Sequence, residues 1–173
     1  PPPGSLLVVC GKGNNGGDGF VIARAAAKEG WNVTALLAEG EPKTTDAITN
    51  FERLHSLPVN ICADCTVLET QHFDVVVDAL YGTGFHGALR PSGLAACGLM
   101  NRLHKSGAFV LAVDLPSGIN TDTGEVAEGA AHADLTVTFD SYKPLHVVES
   151  SAPLCGKIVC SDIGIRDEWH PEF

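Results

Sequence analysis

The sequence is poor in basic residues and has no long hydrophobic run. It contains 11 lysine and arginine residues against 21 aspartate and glutamate residues in a chain of 173, so the formal net charge is −10. Because contacts to phosphate groups need a basic surface, this balance argues against non-specific binding to nucleic acid or to an anionic membrane. No apolar run approaches the roughly 20 residues of a membrane-spanning helix, and the first residues do not resemble a signal peptide. We therefore expect neither a nucleic-acid nor a membrane partner.

Cysteine is also sparse, because six residues in 173 are too few for a disulfide scaffold. Cys62 and Cys65 form a C-x-x-C pair, and Cys155 and Cys160 could in principle complete a zinc site, although the second spacing is loose. Cys10, Cys155 and Cys160 lie in strand-like apolar runs, which favours buried free thiols. We expect reduced cysteines and a cytoplasmic location.

Apolar strands alternate with helical segments along the whole chain. The composition, 45% hydrophobic and 18% charged, is that of a globular protein, and the length suits one domain over residues 1–173. The predicted strands span 6–10, 32–37, 59–62, 73–80, 108–115, 135–139 and 157–160. The predicted helices span 18–29, 44–56 and 91–105. This order predicts an α/β fold with a parallel sheet covered by helices on both faces.

Ligands of such sheets bind beyond the carboxyl ends of the strands, where the strand order reverses. Three loops that follow strands are therefore candidates for ligand binding: residues 11–18, 82–90 and 114–123. Each contains glycine together with polar side chains.

The first of these loops contains the pattern G-x-G-x-x-G from Gly11 to Gly16, between a strand and a helix. Glu39 ends the second strand, where an acidic residue could bind a ribose hydroxyl. Asp18, however, puts a negative charge near the helix start, where a pyrophosphate would normally lie. Two adjacent asparagines add amide groups that a simple phosphate turn does not need. The loop suits a hydroxyl-rich or amide-bearing group, or a cation held by oxygens.

The second loop repeats G-x-G-x-x-G at residues 82–87, and Asp78 precedes it within an apolar strand. A carboxylate there must be paired or bind a metal, because burying it alone is costly. In the third loop, Asp114 ends a buried strand and projects to where a substrate would lie. Ser117 lies in a turn that Pro116 and Gly118 shape, but outside a G-x-S-x-G pattern, so a serine-hydrolase function is disfavoured.

Asn15, Asp78 and Ser117 offer an amide oxygen, a carboxylate and a hydroxyl. These are hard oxygen ligands that carry only one formal charge. They suit a weakly held monovalent cation better than Mg²⁺ or zinc.

Three motifs in the chain together resemble one known family, the YjeF N-terminal domain of the NAD(P)HX epimerases. They are GNNGGDG at residues 13–19, DALYGTG at 78–84 and VDLPSG at 113–118, the last followed by DTG at 122–124. The resemblance extends to about residue 165, and three motifs in the right order are far more specific than one glycine-rich turn. It implies a Rossmann-like three-layer αβα sandwich with a mostly parallel central sheet.

The same resemblance implies an isomerase for metabolite repair. Such enzymes interconvert the R and S epimers of hydrated NADH and NADPH (NADHX and NADPHX), use K⁺, and form homodimers. An NAD(P)HX dehydratase, fused or separate, is the expected partner. The family has a helical segment before its first strand, and we expect residues 1–173 to form a single domain that lacks it.

The resemblance also assigns the site residue by residue. Substrate binding falls to Asn14, Asn15, Gly16, Gly17, Asp18, Gly82, Thr83, Gly84, Phe85, His86, Gly87, Ala88 and Asp114. Potassium binding falls to Asn15, Asp78 and Ser117, the oxygen donors identified above. We expect Asp114 to be the general acid–base, with Asp18 as the second catalytic candidate. Lys143 lies in a late loop that also resembles the family.

Two other functions stay open at this stage. The first is a non-catalytic nucleotide- or protein-binding module, similar to the animal relatives named for apolipoprotein A-I binding. The second is an NAD-dependent oxidoreductase that uses residues 11–16 and Glu39. Asp18 and the lack of a recognisable Tyr/Lys or His/Asp set for hydride transfer argue against the second.

Overall fold

The computed structural model describes residues 3–164. Within them the strands are β1 (Ser5–Cys10), β2 (Asn32–Leu37), β3 (Val59–Cys62), β4 (Val75–Ala79), β5 (Phe109–Val113), β6 (Leu135–Phe139) and β7 (Lys157–Ser161). The α-helices are α1 (Asn14–Lys28), α2 (Thr45–Glu52) and α3 (Pro91–Lys105). Short 3₁₀ helices span Arg53–Ser56, Cys65–Leu68, Pro144–His146 and Ala152–Leu154.

The strands form one seven-stranded sheet in the order β3-β2-β1-β4-β5-β6-β7. Every neighbouring pair is parallel. The chain moves outward from β1 to β3 and then returns to the other side of β1 with β4, so the order reverses between β1 and β4. This arrangement confirms the Rossmann-like α/β fold and puts the ligand crevice at the carboxyl ends of β1 and β4.

Alternate residues of each central strand face opposite helical layers. Leu7 and Val9 of β1 belong to a buried cluster that includes Met100 of α3. Val8 of β1 faces the other way, into a cluster with Phe20 of α1. Each such side chain contributes about 1.5–3 kcal/mol when fully buried. The sheet is thus the middle of three layers, as expected.

Helix α1 begins at Asn14, four residues before the predicted start. Glycine is a poor helix former, yet close packing requires it here. A Cβ atom on Gly16 would collide with the carbonyl oxygen of Gly11, and one on Gly19 would lie 2.7 Å from Cβ of Ala79. The glycines let the helix approach the sheet more closely than any other residue would allow.

Other predicted bounds were close to the observed ones. The predicted helix at 44–56 is in fact α2 followed by the 3₁₀ turn Arg53–Ser56. Strands β4 and β5 are shorter than predicted at both ends. Gly30, with φ +87°, follows the end of α1 as the sequence suggested.

The two connections after β5 contain no α-helix, as is also true of residues 63–74 between β3 and β4. Residues 114–134 and 140–156, which the structure describes throughout, link β5 to β6 and β6 to β7 without any α-helix. They are held by a small core of their own, formed by Leu115, Ile119, Leu145 and Cys155. Each of these loops begins at the carboxyl end of its strand, at the same edge of the sheet as the ligand crevice.

All six cysteines are free thiols, as predicted. Cys10, Cys97 and Cys155 are buried, and the other three are half-buried. In residues 3–164, no group of three or more histidine, cysteine, aspartate or glutamate side chains is placed to hold a metal ion. None of the helices in this part of the chain is long and apolar enough to cross a membrane.

Candidate functional site

A cavity of about 590 Å³ opens at the carboxyl ends of β1 and β4. One wall is the β1–α1 segment, from Lys12 to Asp18, and another is the segment from Leu80 to Arg90 after β4. Glu39 after β2, Asp114 after β5 and Phe139 at the end of β6 complete the lining. The volume is typical of a site for a small molecule or cofactor.

Most of the residues predicted to bind substrate line this cavity. They are Asn14, Asn15, Asp18, Gly82, Thr83, Gly84, Phe85, His86, Ala88 and Asp114. The structure thus brings together the loops that the sequence pattern singled out.

Gly16, Gly17 and Gly87 were also predicted to bind substrate, but they lie outside the cavity lining. Gly16 and Gly17 are buried, and a Cβ atom on Gly17 would lie only 3.1 Å from Cα of Ala47 on α2. Their observed contacts are with the protein interior. Gly87 adopts φ +79°, a conformation that shapes the turn.

Asp114 is the first residue after β5 and has φ +69°, a left-handed conformation that aspartate tolerates better than most residues. It is 8% exposed. Its Oδ1 accepts hydrogen bonds from Nζ of Lys143 and Oγ1 of Thr138, both at 2.7 Å. Among residues 3–164, no group donates to Oδ2. One carboxylate oxygen is therefore anchored, and the other is left for a ligand.

The side chain of Lys143 is also fixed by several hydrogen bonds. Besides Asp114, its Nζ donates to Oγ1 of Thr138 and to the carbonyl of Phe139, both at 2.8 Å. The three hydrogens of the ammonium are thus all used. We call Asp114, Thr138 and Lys143 the Asp114 network.

Asp18 lies across the same cavity, in the second turn of α1. Although part of its side chain is exposed, partial burial raises its pKa, and the negative charge of Asp114 raises the pKa further. The cavity therefore contains two carboxyl groups in different surroundings. One is paired with an ammonium, and the other retains its proton more readily than a free aspartate.

Asp78 and Ser117 bond to each other beneath the cavity, and neither lines it. Ser117 donates to the two oxygens of Asp78, through Oγ at 2.6 Å and through its amide at 2.7 Å. The Ser117 hydroxyl also accepts from the amide of Tyr81 at 3.0 Å. Asn15 joins this chain of contacts, because its Nδ2 donates to the Tyr81 carbonyl at 2.9 Å. These contacts tie the loops after β1, β4 and β5 together.

The charge on Asp78 is compatible with a monovalent cation. The side chain is fully buried, and it forms no ion pair with any residue of the described part of the chain. Burial raises the pKa of Asp78 to about 6, although hydrogen bonds from Ser117 oppose the rise. The donor set of Asn15, Asp78 and Ser117 fits such a cation by its chemistry.

Ser117 is fully buried and its hydroxyl donates to a carboxylate. A nucleophilic serine needs access to substrate and a base that accepts its proton. The burial of Ser117 therefore argues further against a serine hydrolase.

Sequence reasoning missed an aromatic pair in the cavity wall. The hydroxyl of Tyr81 donates to Oε1 of Glu39 at 2.6 Å, and the rings of Tyr81 and Phe85 stack with centroids 5.2 Å apart. Glu39, considered above as a ribose ligand, thus accepts a hydrogen bond that helps to fix the position of the Tyr81 ring. The cavity is also lined by two basic residues, Lys12 and Arg90, that no motif indicated. The one sequence signal for this aromatic pair was the position of Tyr81, which lies between Asp78 and the second glycine-rich loop.

The family model described as "YjeF-related protein N-terminus" matches residues 1–145. The chain belongs to this family. The matched residues of this chain include all three motifs and the whole cavity lining.

Several curated relatives of this YjeF-related chain are named bifunctional NAD(P)H-hydrate repair enzyme Nnr. The protein of Moorella thermoacetica is 40% identical over 171 residues, which covers 92% of this chain and 31% of that protein. The protein of Methanopyrus kandleri is 38% identical, with 96% and 38% covered. The protein of Coxiella burnetii is 34% identical, with 98% and 34% covered. The chain thus spans about a third of the length of these relatives.

A solved structure has the same fold. The crystal structure of yeast ynu0 superposes with a TM-score of 0.73 at 22% sequence identity. The match covers 87% of this chain and 64% of the yeast chain.

Proposed function

We propose that the chain is an NAD(P)H-hydrate epimerase, an isomerase that interconverts the R and S epimers of NADHX and NADPHX. The observation that carries the proposal is the pair of carboxyl groups, Asp18 and Asp114, that line the family's cavity in different surroundings. Membership of the YjeF-related family supports it, as do relatives named for NAD(P)H-hydrate repair.

The substrate carries a hydroxyl group on C6 of a reduced nicotinamide ring. Epimerisation requires that carbon to lose its configuration, by ring opening or by departure of water. Either route needs a proton donor and a proton acceptor, and the departure of water also needs a negative group to stabilise the positive charge left on the ring. Two carboxyl groups can divide these tasks.

Asp18 suits the donor role because its raised pKa keeps it protonated to higher pH. Asp114 suits the acceptor role because its Oδ1 is fixed by Lys143 and Thr138, whereas Oδ2 is left for the substrate. A positioned acid or base of this kind contributes roughly 10²–10⁴-fold to the rate. Asp18 would thus donate a proton to the substrate, and Asp114 would accept one from it.

The remaining lining residues would bind the dinucleotide. Backbone amides of the second glycine-rich segment suit ribose hydroxyl and phosphate oxygens, and the side-chain amides of Asn14 and Asn15 suit hydroxyl or amide groups. Lys12 and Arg90 supply positive charge at the cavity rim for the pyrophosphate. The stacked Tyr81 and Phe85 rings offer an apolar face for a planar ring.

Potassium would be held by Asn15, Asp78 and Ser117. The ion would supply the positive charge that the buried Asp78 lacks and would reinforce the contacts among the three loops. Epimer interconversion in potassium buffer is therefore expected to exceed that in sodium buffer at equal ionic strength. Equal rates in the two buffers would contradict the assignment.

We also infer a cytoplasmic homodimer that works beside an NAD(P)HX dehydratase, fused or separate. The bifunctional names of the relatives support the dehydratase partner. Sedimentation equilibrium is expected to give twice the mass of the chain, and a mass of 18.1 kDa would contradict the dimer.

The decisive experiment starts from purified R and S epimers of hydrated NADH, incubated separately with the chain and separated by chromatography. Each epimer is expected to convert to the same mixture far faster than in buffer alone. Conversion at the spontaneous rate, in a folded protein that still binds the substrate, would contradict catalysis and favour the binding-module alternative.

A further inference from the structure

His146 lies directly behind the Asp114 network. It ends the 3₁₀ turn Pro144–His146, is 3% exposed and lies outside the cavity lining. Its ring bridges two stretches of main chain. Nε2 bonds to the Asp114 carbonyl at 3.0 Å, and Nδ1 bonds to the Lys143 amide at 2.9 Å. The same side chain thus contacts the backbone of both members of the ion pair.

These two partners determine the protonation state of the ring. A carbonyl can only accept a hydrogen bond, so Nε2 must carry a proton, and an amide N–H can only donate, so Nδ1 must be bare. His146 is therefore neutral, with its proton on Nε2. Burial lowers the pKa of His146, which agrees with this assignment, although the Asp114 carbonyl and charge oppose the shift.

The bond to Asp114 has a specific effect on the geometry. The Asp114 amide donates to the carbonyl of Val137 on β6 at 2.8 Å. With His146 holding the carbonyl, the main chain of Asp114 is fixed on both sides in its left-handed conformation. The direction of its side chain, and so its distance to Lys143, depends on those two contacts.

We propose that His146 is a positioning residue: the Nε2 proton of its neutral ring holds the Asp114 carbonyl so that the free oxygen of Asp114 faces the substrate, while the Lys143 amide anchors the ring at Nδ1. The inference rests on the proposed function for its kinetic consequence. Nothing in it requires His146 to touch substrate. Its contribution lies entirely in where it holds Asp114.

A purely structural role would have a different signature. His146 also packs near Tyr142, with ring centroids 6.1 Å apart, beside the buried Leu145. If the ring only filled space, a leucine would replace it at little cost to turnover. If it only stabilised the loop, substrate affinity and melting temperature would fall together with turnover.

Three substitutions separate these possibilities. His146→Gln keeps a donor near the position of Nε2, whereas His146→Asn keeps a polar atom near the position of Nδ1. His146→Leu removes both bonds. His104→Gln is the matched control, because His104 is a half-buried histidine of α3 that pairs with Asp134 at 2.9 Å, outside the cavity lining.

The kinetic readout is kcat and KM for hydrated NADH. The Leu and Asn variants are expected to lose about tenfold in kcat with KM changed less than about threefold, whereas Gln stays within about threefold of the wild type. His104→Gln is expected to match the wild type. Wild-type kcat in the Leu variant, or equal losses in the Leu and Gln variants, would overturn the proposal.

A second readout is independent of activity. Nitrogen NMR of the wild-type imidazole is expected to show the neutral tautomer protonated at Nε2 at neutral pH. The carboxyl carbon resonance of Asp114 is expected to move in His146→Leu and to return in His146→Gln. An unmoved resonance in the Leu variant would overturn the positioning role, even if the wild-type chain failed to interconvert the epimers. A wild-type chain that failed to interconvert the epimers would count against the proposed function but not against the positioning role of His146.

Discussion

The two walls of the cavity are held in place by different means. The glycine-rich wall, residues 11–19, is positioned by close backbone packing, since side chains at Gly16 and Gly19 would collide with the loop or the sheet. The side of the cavity that carries Asp114, here called the opposite wall, is positioned by hydrogen bonds, because Thr138 of β6 and Lys143 of the following loop hold the Asp114 carboxylate. Packing thus fixes the shape of the first wall, whereas hydrogen bonds fix the position of the charged group in the second. Substitutions should therefore damage folding on one side and chemistry on the other.

The largest expected effect is on the glycine-rich wall. Gly16→Ala puts a methyl group against the carbonyl of Gly11, and neither backbone segment can move without shifting α1. We expect a loss of about 3 kcal/mol or more in the free energy of unfolding, measured by urea denaturation. Gly13→Ala is the control, because a Cβ atom there meets no atom within 4 Å. If the two variants were equally stable, packing would not be what positions this wall.

On the opposite wall, Asp114→Asn should leave the fold intact and remove the chemistry. Asparagine has nearly the same shape and also tolerates a left-handed backbone. We expect kcat to fall roughly 10²–10⁴-fold, with a melting temperature close to that of the wild type. Asp122→Asn, the same change at an exposed position of the same loop, is the control. Wild-type turnover in Asp114→Asn would remove this residue from the mechanism.

The same variant tests the coupling between the walls. The charge of Asp114 raises the pKa of Asp18, so its removal should lower that pKa. Because burial also contributes, the pKa of Asp18 should stay above its ordinary value. Carbon NMR titration of the Asp18 carboxyl group, in wild type and Asp114→Asn, measures the change. An unchanged titration would mean that the two carboxyl groups act independently.

A smaller effect is expected where the two walls meet. Ser117→Ala removes the 2.6 Å hydrogen bond to Asp78 and deprives the Tyr81 amide of its acceptor. A buried polar group left without a partner costs about 1–3 kcal/mol, which urea denaturation can measure. Ser106→Ala, at the exposed end of α3, should change stability by less than about 0.5 kcal/mol. Similar losses in both variants would mean that the Ser117 bond is unimportant.

Much of the framework around the cavity could be predicted from the sequence. Strands β2, β3 and β6 and helix α3 were predicted to the residue, because apolar runs and helix caps are local signals. The three ligand loops followed from the rule for parallel sheets. The start of α1 at Asn14 was missed because glycine propensity hides a helix that only packing requires.

The partners of Asp114 could not be found in the same way. Thr138, in β6, and His146, in the 3₁₀ turn Pro144–His146, lie 24 and 32 positions away along the chain. No periodic pattern connects such residues, since their meeting depends on the pairing of β5 with β6 and on how the loop after β6 folds back. The bond between Glu39 and Tyr81 is of the same kind. Local pattern thus predicted which loops form the cavity, but not which side chains hold its charges.

The pairing of β5 with β6 has a consequence for how the protein matures. Asp114 meets Thr138 and Lys143 only after β6 has aligned beside β5, with Val113 opposite Val137. A growing or refolding chain that has completed only β1 to β5 therefore has most of the cavity walls but lacks the ion pair. On a growing chain the charge arrangement therefore arises after the other cavity walls, because Thr138 and Lys143 follow β5 in the sequence. Asp114 would reach its observed surroundings only once β6 and the loop after it are in place.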